Sequence, residues 1–222
     1  MTTLAPLGFY IDCAEQTVSE QWLPTGIFSG VTSNPTLLRD AGVRLDDVAP
    51  LYQRLHELGA QEIFFQTWGT DAEALYGNAH RLREAAPEAV IKVPATAIGA
   101  QATARLHAEQ IPVLMTAVYS AKQALIAAAL EVEYIAPYFN RMFMAGRDAA
   151  AEIAHMTRAI PQDGTGPLVV AASIKSAEHM ITMTDLGVRR FTISPDVISD
   201  LFGDPLAARA VDVFEEHMAG LL

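Results

Sequence analysis

Short apolar runs alternate with amphipathic stretches along the whole chain. The apolar runs predict eight strands, and the stretches between them predict helices because their apolar residues recur at helical spacing. The predicted strands are residues 9–13, 27–32, 62–66, 90–93, 113–116, 134–136, 168–172 and 191–193. The predicted helices are residues 45–58, 71–86, 97–108, 120–130, 148–160 and 176–186. The expected N-caps and terminating glycines are Thr70 or Asp71, Ser120, Ser176, Gly42, Gly59 and Gly187.

The order of these elements predicts the fold class. Strands separated by helices indicate a parallel α/β fold. Eight repeats of one β/α unit favour a closed (β/α)8 TIM barrel over an open doubly wound sheet. The first strand is not followed by G-x-G-x-x-G, which weakens the nucleotide-binding alternative. We therefore predict one barrel domain over residues 1–222. A final helix at about 205–222 is expected to dock on the barrel or on a neighbouring subunit.

Composition narrows the function classes. A hydrophobic content of 51% supplies a sizeable core, and a net charge of −11 makes nonspecific nucleic-acid binding or docking on an anionic membrane unexpected. Cys13 is the only cysteine, so no intrachain disulfide can form. Residues 1–8 have no signal-peptide pattern, and the longest apolar run, residues 124–130, is too short to span a bilayer. We expect a cytoplasmic protein with no nucleic-acid or membrane partner.

One lysine lies inside an apolar strand. Lys92 stands between Ile91 and Val93, and the chain has only two other lysines. Burial disfavours the charged form of an ammonium group, depresses its pKa and frees the amine as a nucleophile, as Schiff-base chemistry with a carbonyl requires. The alternative is a strand-end lysine that reaches solvent or pairs with a carboxylate.

Polar side chains follow most predicted strands, at the end where barrels carry their active sites. They are Asp12, Thr32, Ser33, Asn34, Gln66, Lys92, Thr116, Tyr138, Asn140, Arg141, Ser173, Lys175 and Ser194. Each alone could be a cap or turn residue, but the joint pattern predicts a site at the barrel mouth. All six histidines fall in predicted helices, and only Asp12 offers a metal-ligand type at a strand end, so no metal site is expected.

Seven segments share an order and spacing with a known family. They are Phe-Tyr-Ile-Asp at 9–12, Gly-Val-Thr-Ser-Asn-Pro-Thr at 30–36, Phe-Gln at 65–66, Ile-Lys-Val-Pro-Ala-Thr at 91–96, Thr-Ala-Val-Tyr-Ser at 116–120, Tyr-Ile-Ala-Pro-Tyr-Phe-Asn-Arg at 134–141 and Ala-Ala-Ser-Ile-Lys at 171–175. Over essentially its whole length the chain resembles the transaldolase family, and within it the small fructose-6-phosphate aldolase branch.

The resemblance implies a class I mechanism without a metal or other cofactor, in which Lys92 is the Schiff-base lysine and Asp12 the acid/base carboxylate. The residues matching the contacts to donor hydroxyls are Asn34, Thr32 and Ser33. Those matching the cluster around a catalytic water are Gln66, Thr116 and Tyr138. Those matching the phosphate end are Arg141 and Ser173, with Lys175 beside them as a further cation or a solvated loop residue. A sugar or sugar-phosphate substrate and a ring-like homo-oligomer, a pentamer or decamer, are also implied.

Two positions bear on which reaction is expected. Small transaldolases of this family carry glutamate where the chain has Gln66 and phenylalanine where it has Tyr138. Tyr138 could donate to a water that returns a proton to the enamine, which would release dihydroxyacetone without a second sugar. We expect an aldolase acting on fructose 6-phosphate. A transaldolase is the alternative, and a non-catalytic barrel used for binding or assembly is a distant one.

The loop after Arg141 departs from the family, which has more polar and acidic residues there. Phe143 and Met144 either line a less polar pocket or pack against a neighbouring loop, and we expect the second. Arg147 is expected to be an ordinary first-turn residue rather than a second anion contact.

Overall fold

The computed structural model describes residues 5–221 and contains a closed barrel of eight parallel strands. The strands follow chain order around the barrel, and the last pairs with the first. They are β1 (Gly8–Asp12), β2 (Phe28–Thr32), β3 (Glu62–Gln66), β4 (Val90–Pro94), β5 (Val113–Val118), β6 (Tyr134–Pro137), β7 (Leu168–Ala171) and β8 (Arg190–Ile193). The predicted (β/α)8 barrel is confirmed, and every predicted strand overlaps the observed one.

Helices connect the strands and cover the outside of the barrel. Within residues 5–221 they are α1 (Gln16–Trp22), α2 (Pro35–Asp40), α3 (Val48–Glu57), α4 (Ala72–Ala85), α5 (Ala97–Ala108), α6 (Lys122–Ala129), α7 (Phe139–Met144), α8 (Ala149–Ala159), α9 (Ala177–Asp185), α10 (Pro195–Phe202) and α11 (Pro205–Ala219). Helices α1, α2, α7 and α10 were not predicted, because helices this short show too little repeat. Nowhere in this range does a helix have the length and apolar content to cross a membrane.

Most predicted helix ends are confirmed. The side chains of Asp71 and Ser176 cap α4 and α9. Ser120 was wrong as a cap: α6 begins two residues later, and Oε1 of Gln123 accepts the backbone N–H groups of Tyr119 and Ser120 at 2.8 and 3.1 Å instead. The three terminating glycines have positive φ angles, which L-residues with side chains rarely adopt: Gly42 at 70°, Gly59 at 98° and Gly187 at 92°.

Alternate strand residues face the barrel interior or the surrounding helices. The interior layer consists of Tyr10, Phe64, Val90, Leu114, Ala136 and Val170, with Tyr134 packed against it. The outward-facing residues belong to a larger core beneath the helices. The interior layer separates the two ends of the barrel, so a group at one end does not share its environment with a group at the other.

Four polar side chains occupy the end of the barrel where the strands begin. Glu62 accepts hydrogen bonds from the hydroxyls of Tyr10, at 2.5 Å, and Tyr134. Arg190 donates to the Tyr10 hydroxyl at 3.1 Å and lies 4.0 Å from the Glu62 carboxylate. We call Tyr10, Glu62, Tyr134 and Arg190 the basal cluster. Burial and the Glu62 carboxylate raise the pKa of both tyrosines, so both remain protonated donors.

The predicted C-terminal helix is present as α11, but it does not pack into the core. None of its residues is buried, and Leu206 and Phe214 are 77% and 63% exposed. Leu222, which the prediction included, lies outside the described residues.

Candidate active site

A cavity of about 410 Å³ opens at the end of the barrel where the strands finish. (β/α)8 barrels carry their active sites at this end. Nine of the thirteen polar residues predicted at the barrel mouth line the cavity: Asp12, Asn34, Lys92, Tyr138, Asn140, Arg141, Ser173, Lys175 and Ser194. The cavity therefore brings together groups from loops that are far apart in the sequence.

Lys92 rises from the cavity floor. Its β4 position pairs with Leu114 of the interior layer, which turns its side chain inward, and the residue is only 4% exposed. Burial lowers the pKa of the Lys92 ammonium, and the carboxylate of Asp12 opposes this shift more weakly. The amine is thus favoured in its neutral, nucleophilic form.

Asp12 stands at the end of β1 and is held by a chain of hydroxyls. Oγ1 of Thr32 donates to Oδ1 of Asp12 at 2.8 Å, and Oγ1 of Thr32 also lies 2.6 Å from Oγ1 of Thr192. Thr32 is fully buried, so it orients the carboxylate and does not line the cavity. The sequence prediction missed Thr192. Its signal is the alternation along β8, which places it on the same face as Arg190; it lines the cavity, as does Ser194 just after the strand.

Tyr138 and Thr116 form a second polar pair. Their hydroxyls lie 2.8 Å apart, and burial raises the pKa of the Tyr138 phenol above its ordinary value. The ring of Tyr119 packs edge-on against the ring of Tyr138, with 5.5 Å between the ring centres. The guanidinium of Arg141, a residue of α7, lies 4.8 Å from the centre of the Tyr138 ring. A phenol that stays protonated and has a neighbouring hydroxyl is suited to hold a water molecule by hydrogen bonding.

Gln66 ends β3, where it pairs in register with Lys92 of β4 and therefore shares the inward face of the barrel. It also contributes to the lining of a second, largely apolar cavity beside Trp68. Neither Gln66 nor Thr116 is among the residues that line the cavity around Lys92. A three-residue cluster of Gln66, Thr116 and Tyr138 around a catalytic water stays a prediction.

Asn34 and Ser33 have different positions although they are adjacent in the sequence. Oδ1 of Asn34 caps α2 by accepting the N–H groups of Thr36 and Leu37 at 2.9 and 3.1 Å. Because the oxygen is occupied, the amide NH2 of Asn34 is the group left for a ligand in the cavity. Oγ of Ser33 is buried and donates to the carbonyl of Phe64 at 2.9 Å, so Ser33 joins strands and is not placed to bind a substrate.

The outer part of the cavity carries positive charge. Arg141 comes from α7, and Ser173 and Lys175 come from the loop after β7. Two backbone hydrogen bonds join these segments, from the N–H of Phe139 to the carbonyl of Ala172 and from the N–H of Asn140 to the carbonyl of Ser173, both at 3.0 Å. Two cations and a hydroxyl on segments joined by hydrogen bonds are suited to bind a phosphate group. This local positive charge is present although the protein has a net charge of −11.

Apolar side chains also line the cavity. The sequence predicted that Phe143 and Met144 pack against a neighbouring loop, and for Met144 this was wrong. Met144 lines the cavity together with Leu37 and Ile174, whereas the adjacent Phe143 does not. Arg147 donates to the carbonyl of Tyr119 at 2.8 Å and does not reach the cavity.

No metal centre is formed by the part of the chain that the structure describes. Within residues 5–221, His, Cys, Asp and Glu side chains do not gather in groups of three or more that could hold a metal ion. The helical positions of the histidines keep them away from the cavity, whose lining includes none of them.

Comparison with known proteins identifies related chains. The family model described as Transaldolase/Fructose-6-phosphate aldolase matches residues 9–221. Among solved structures, the crystal structure of orotidine 5'-monophosphate decarboxylase from Sulfolobus solfataricus is similar, with a TM-score of 0.62 and 13% sequence identity. That match covers 94% of this chain and 97% of the other. At this identity the structural likeness shows the shared barrel fold alone.

Proposed function

Because the chain belongs to the transaldolase/fructose-6-phosphate aldolase family, we propose that it is a class I aldolase that cleaves and forms fructose 6-phosphate. The products of cleavage are dihydroxyacetone and glyceraldehyde 3-phosphate, or a related aldehyde. The observation that carries the proposal is the buried Lys92, with its lowered pKa, on the floor of a cavity that also holds Asp12 and a cationic outer end.

The reaction begins at Lys92. Its neutral amine attacks the C2 carbonyl of the sugar, and loss of water from the carbinolamine gives an imine. Asp12 accepts the proton of the C4 hydroxyl while the C3–C4 bond breaks. The electrons of that bond move into the imine to leave an enamine, and glyceraldehyde 3-phosphate departs. The enamine takes a proton at C3, and water hydrolyses the resulting imine to release dihydroxyacetone and restore Lys92.

Other residues position these groups. Thr32 holds the Asp12 carboxylate through its 2.8 Å hydrogen bond, and the amide NH2 of Asn34 is available to a donor hydroxyl. Arg141, Ser173 and Lys175 bind the phosphate of the aldehyde product. The substrate therefore lies with its ketone end at Lys92 and its phosphate toward the cationic end of the cavity.

The Thr116–Tyr138 pair favours an aldolase over a transaldolase. A water held by these two hydroxyls supplies the proton that the enamine needs, so the three-carbon unit leaves without a second sugar. In a transaldolase the enamine waits for an acceptor aldehyde. Gln66, the other residue that the family resemblance links to the aldolase type, shares the inward face of the barrel with Lys92.

The test is cleavage of fructose 6-phosphate by purified protein without an added acceptor, followed by coupled detection of glyceraldehyde 3-phosphate. Many turnovers per site support the aldolase. A single turnover that resumes when erythrose 4-phosphate is added identifies a transaldolase. Absence of product under both conditions, together with failure of borohydride to trap a ketose on Lys92, favours the non-catalytic barrel.

We also propose a homo-oligomer and a cytoplasmic, reducing setting. Leu206, Val213, Phe214 and Met218 fall on one side of α11 by helical spacing, yet the helix buries none of its residues on its own barrel. A second copy of the chain would cover this apolar side. The single cysteine suits a reducing compartment. Light scattering after size exclusion tests the assembly: Phe214→Glu lowers the molar mass if α11 carries the interface, and a monomeric wild type overturns it.

A further inference from the structure

The lining of the cavity combines polar and apolar side chains. Arg141, Ser173 and Lys175 are cationic or polar, whereas Leu37, Met144 and Ile174 are apolar. A phosphate group uses the first set. Of the apolar set, Leu37 comes from α2 and Met144 from α7.

Met144 is held at this position by its own helix. Met142, two residues earlier, is fully buried and fixes the rotation of α7. Phe143 is 71% exposed and does not line the cavity, whereas Met144 lies three residues after Arg141, on the same face of the helix, and does line it. Nδ2 of Asn140, which also lines the cavity, donates to the Met144 sulfur at 3.5 Å. The thioether therefore belongs to the cavity although it is 78% exposed to solvent.

Leu37 also lines the cavity, and it lies on α2, a helix whose N-terminus is capped by a residue of the site. The Asn34 side chain caps α2, and one of its two bonds is made to the N–H of Leu37. The carbon chain of a ligand that contacts Leu37 and Met144 is moved out of water. Each methylene moved from water to apolar surroundings strengthens binding by about four-fold when fully buried, and by less when partly buried.

We propose that Met144, with Leu37, is a specificity-determining residue that binds the carbon chain of unphosphorylated aliphatic aldehydes at the acceptor end. This inference rests on the aldolase function proposed above. The enamine of dihydroxyacetone on Lys92 adds to the aldehyde carbon, and the new alkoxide takes a proton from Asp12. Water then hydrolyses the imine, so the product is a ketose with an alkyl end. The step needs no oxidant or reductant.

The test measures aldol addition of dihydroxyacetone to propanal, butanal, pentanal and glyceraldehyde 3-phosphate. We expect the wild-type kcat/KM to rise about two- to four-fold with each added methylene. In Met144→Ser this rise disappears, and the ratio of pentanal to glyceraldehyde 3-phosphate activity falls about five-fold or more. Met144→Leu restores the rise. Arg141→Ala moves the ratio in the opposite direction.

Phe143→Ser is the matched control, because it removes an exposed apolar side chain of the same helix that does not line the cavity. Its chain-length dependence should match the wild type. A flat wild-type series, or equal loss in Met144→Ser and Phe143→Ser, overturns the inference. Borohydride trapping of dihydroxyacetone on wild-type Lys92 is measured in parallel. If trapping fails, the proposed function fails; if trapping succeeds and the series is flat, only the role of Met144 is wrong.

Discussion

The two ends of this barrel treat buried ionisable groups in opposite ways. In the basal cluster, the Glu62 carboxylate accepts from two tyrosine hydroxyls and has Arg190 beside it. At the other end, Lys92 is more deeply buried, and only the field of Asp12 favours its charged form. A charge whose hydrogen-bonding partners are in place contributes to the fold. Burial without hydrogen-bonding partners disfavours the charged form of an amine and leaves the neutral, nucleophilic form. The difference between the two ends therefore distinguishes groups that stabilise the fold from the group that reacts.

Replacement of Lys92 should give the largest effect and should separate stability from activity. Lys92→Met removes the nucleophile, and we expect kcat for fructose 6-phosphate cleavage to fall by at least ~10³-fold. The same change removes a buried amine, so the free energy of unfolding rises by about 1–3 kcal/mol in urea titrations. Lys122→Met, which alters an exposed lysine on α6, is the control and should change neither quantity. Residual activity above a few per cent of the wild type contradicts the assignment.

The tyrosines of the two ends offer a second contrast. Tyr138→Phe should slow cleavage of fructose 6-phosphate by about 10²-fold, because the enamine loses its proton donor. Transfer of the three-carbon unit to erythrose 4-phosphate should fall less, because it does not need that proton. Tyr134→Phe removes a phenolic hydroxyl from the basal cluster instead and should leave the rates of cleavage and transfer close to those of the wild type. Equal losses of cleavage and transfer in Tyr138→Phe would argue against the water-activation role.

At the basal end the expected effect is on stability. Glu62→Gln removes the charge opposite Arg190 and one of the two acceptor oxygens used by Tyr10 and Tyr134. We expect the free energy of unfolding to fall by about 1–3 kcal/mol while kcat/KM stays near the wild-type value. Urea titration and steady-state kinetics measure both. A large loss of activity without loss of stability would show that the interior layer does not separate the two ends.

The smallest expected effect is on the pH dependence of stability. Burial puts the pKa of folded Lys92 below that of the unfolded chain, which is about 10.4. Between these two pKa values the unfolded state binds more protons, so stability rises with pH and reaches its full value above the unfolded pKa. The advantage of Lys92→Met in melting temperature should therefore shrink as the pH rises through this window. A constant difference between pH 7 and 10 would mean that the pKa of Lys92 is not lowered.

Much of the fold could be predicted because strand and helix periods are local properties. The same alternation that defined β4 placed Lys92 on the inner face. The four missed helices have one to two turns, too few for a repeat to emerge, although Asn34 followed by Pro35 is a typical N-cap and first-turn pair. Short helices are thus better recognised from their caps than from their periodicity.

The site was predicted less completely because it depends on contacts between strands. The hydroxyl of Ser33 donates to the carbonyl of Phe64, an outcome that follows from the neighbouring strand and not from the local pattern. Thr192 was missed because it lies inside β8 and not at its end, although it lines the cavity and contacts Thr32. The basal cluster was not predicted because it lies at the amino ends of the strands, where a barrel is not expected to carry its active site.

The most direct test of the account is borohydride reduction in the presence of dihydroxyacetone, followed by intact-mass measurement and peptide mapping. The account predicts one reduced dihydroxyacetone adduct per chain, on the peptide that contains Lys92. The adduct should be absent in Lys92→Met and present in Lys122→Met. An adduct on Lys175 or Lys122, or no adduct at all in the wild type, would contradict the central claim that the unsatisfied buried amine is the nucleophile.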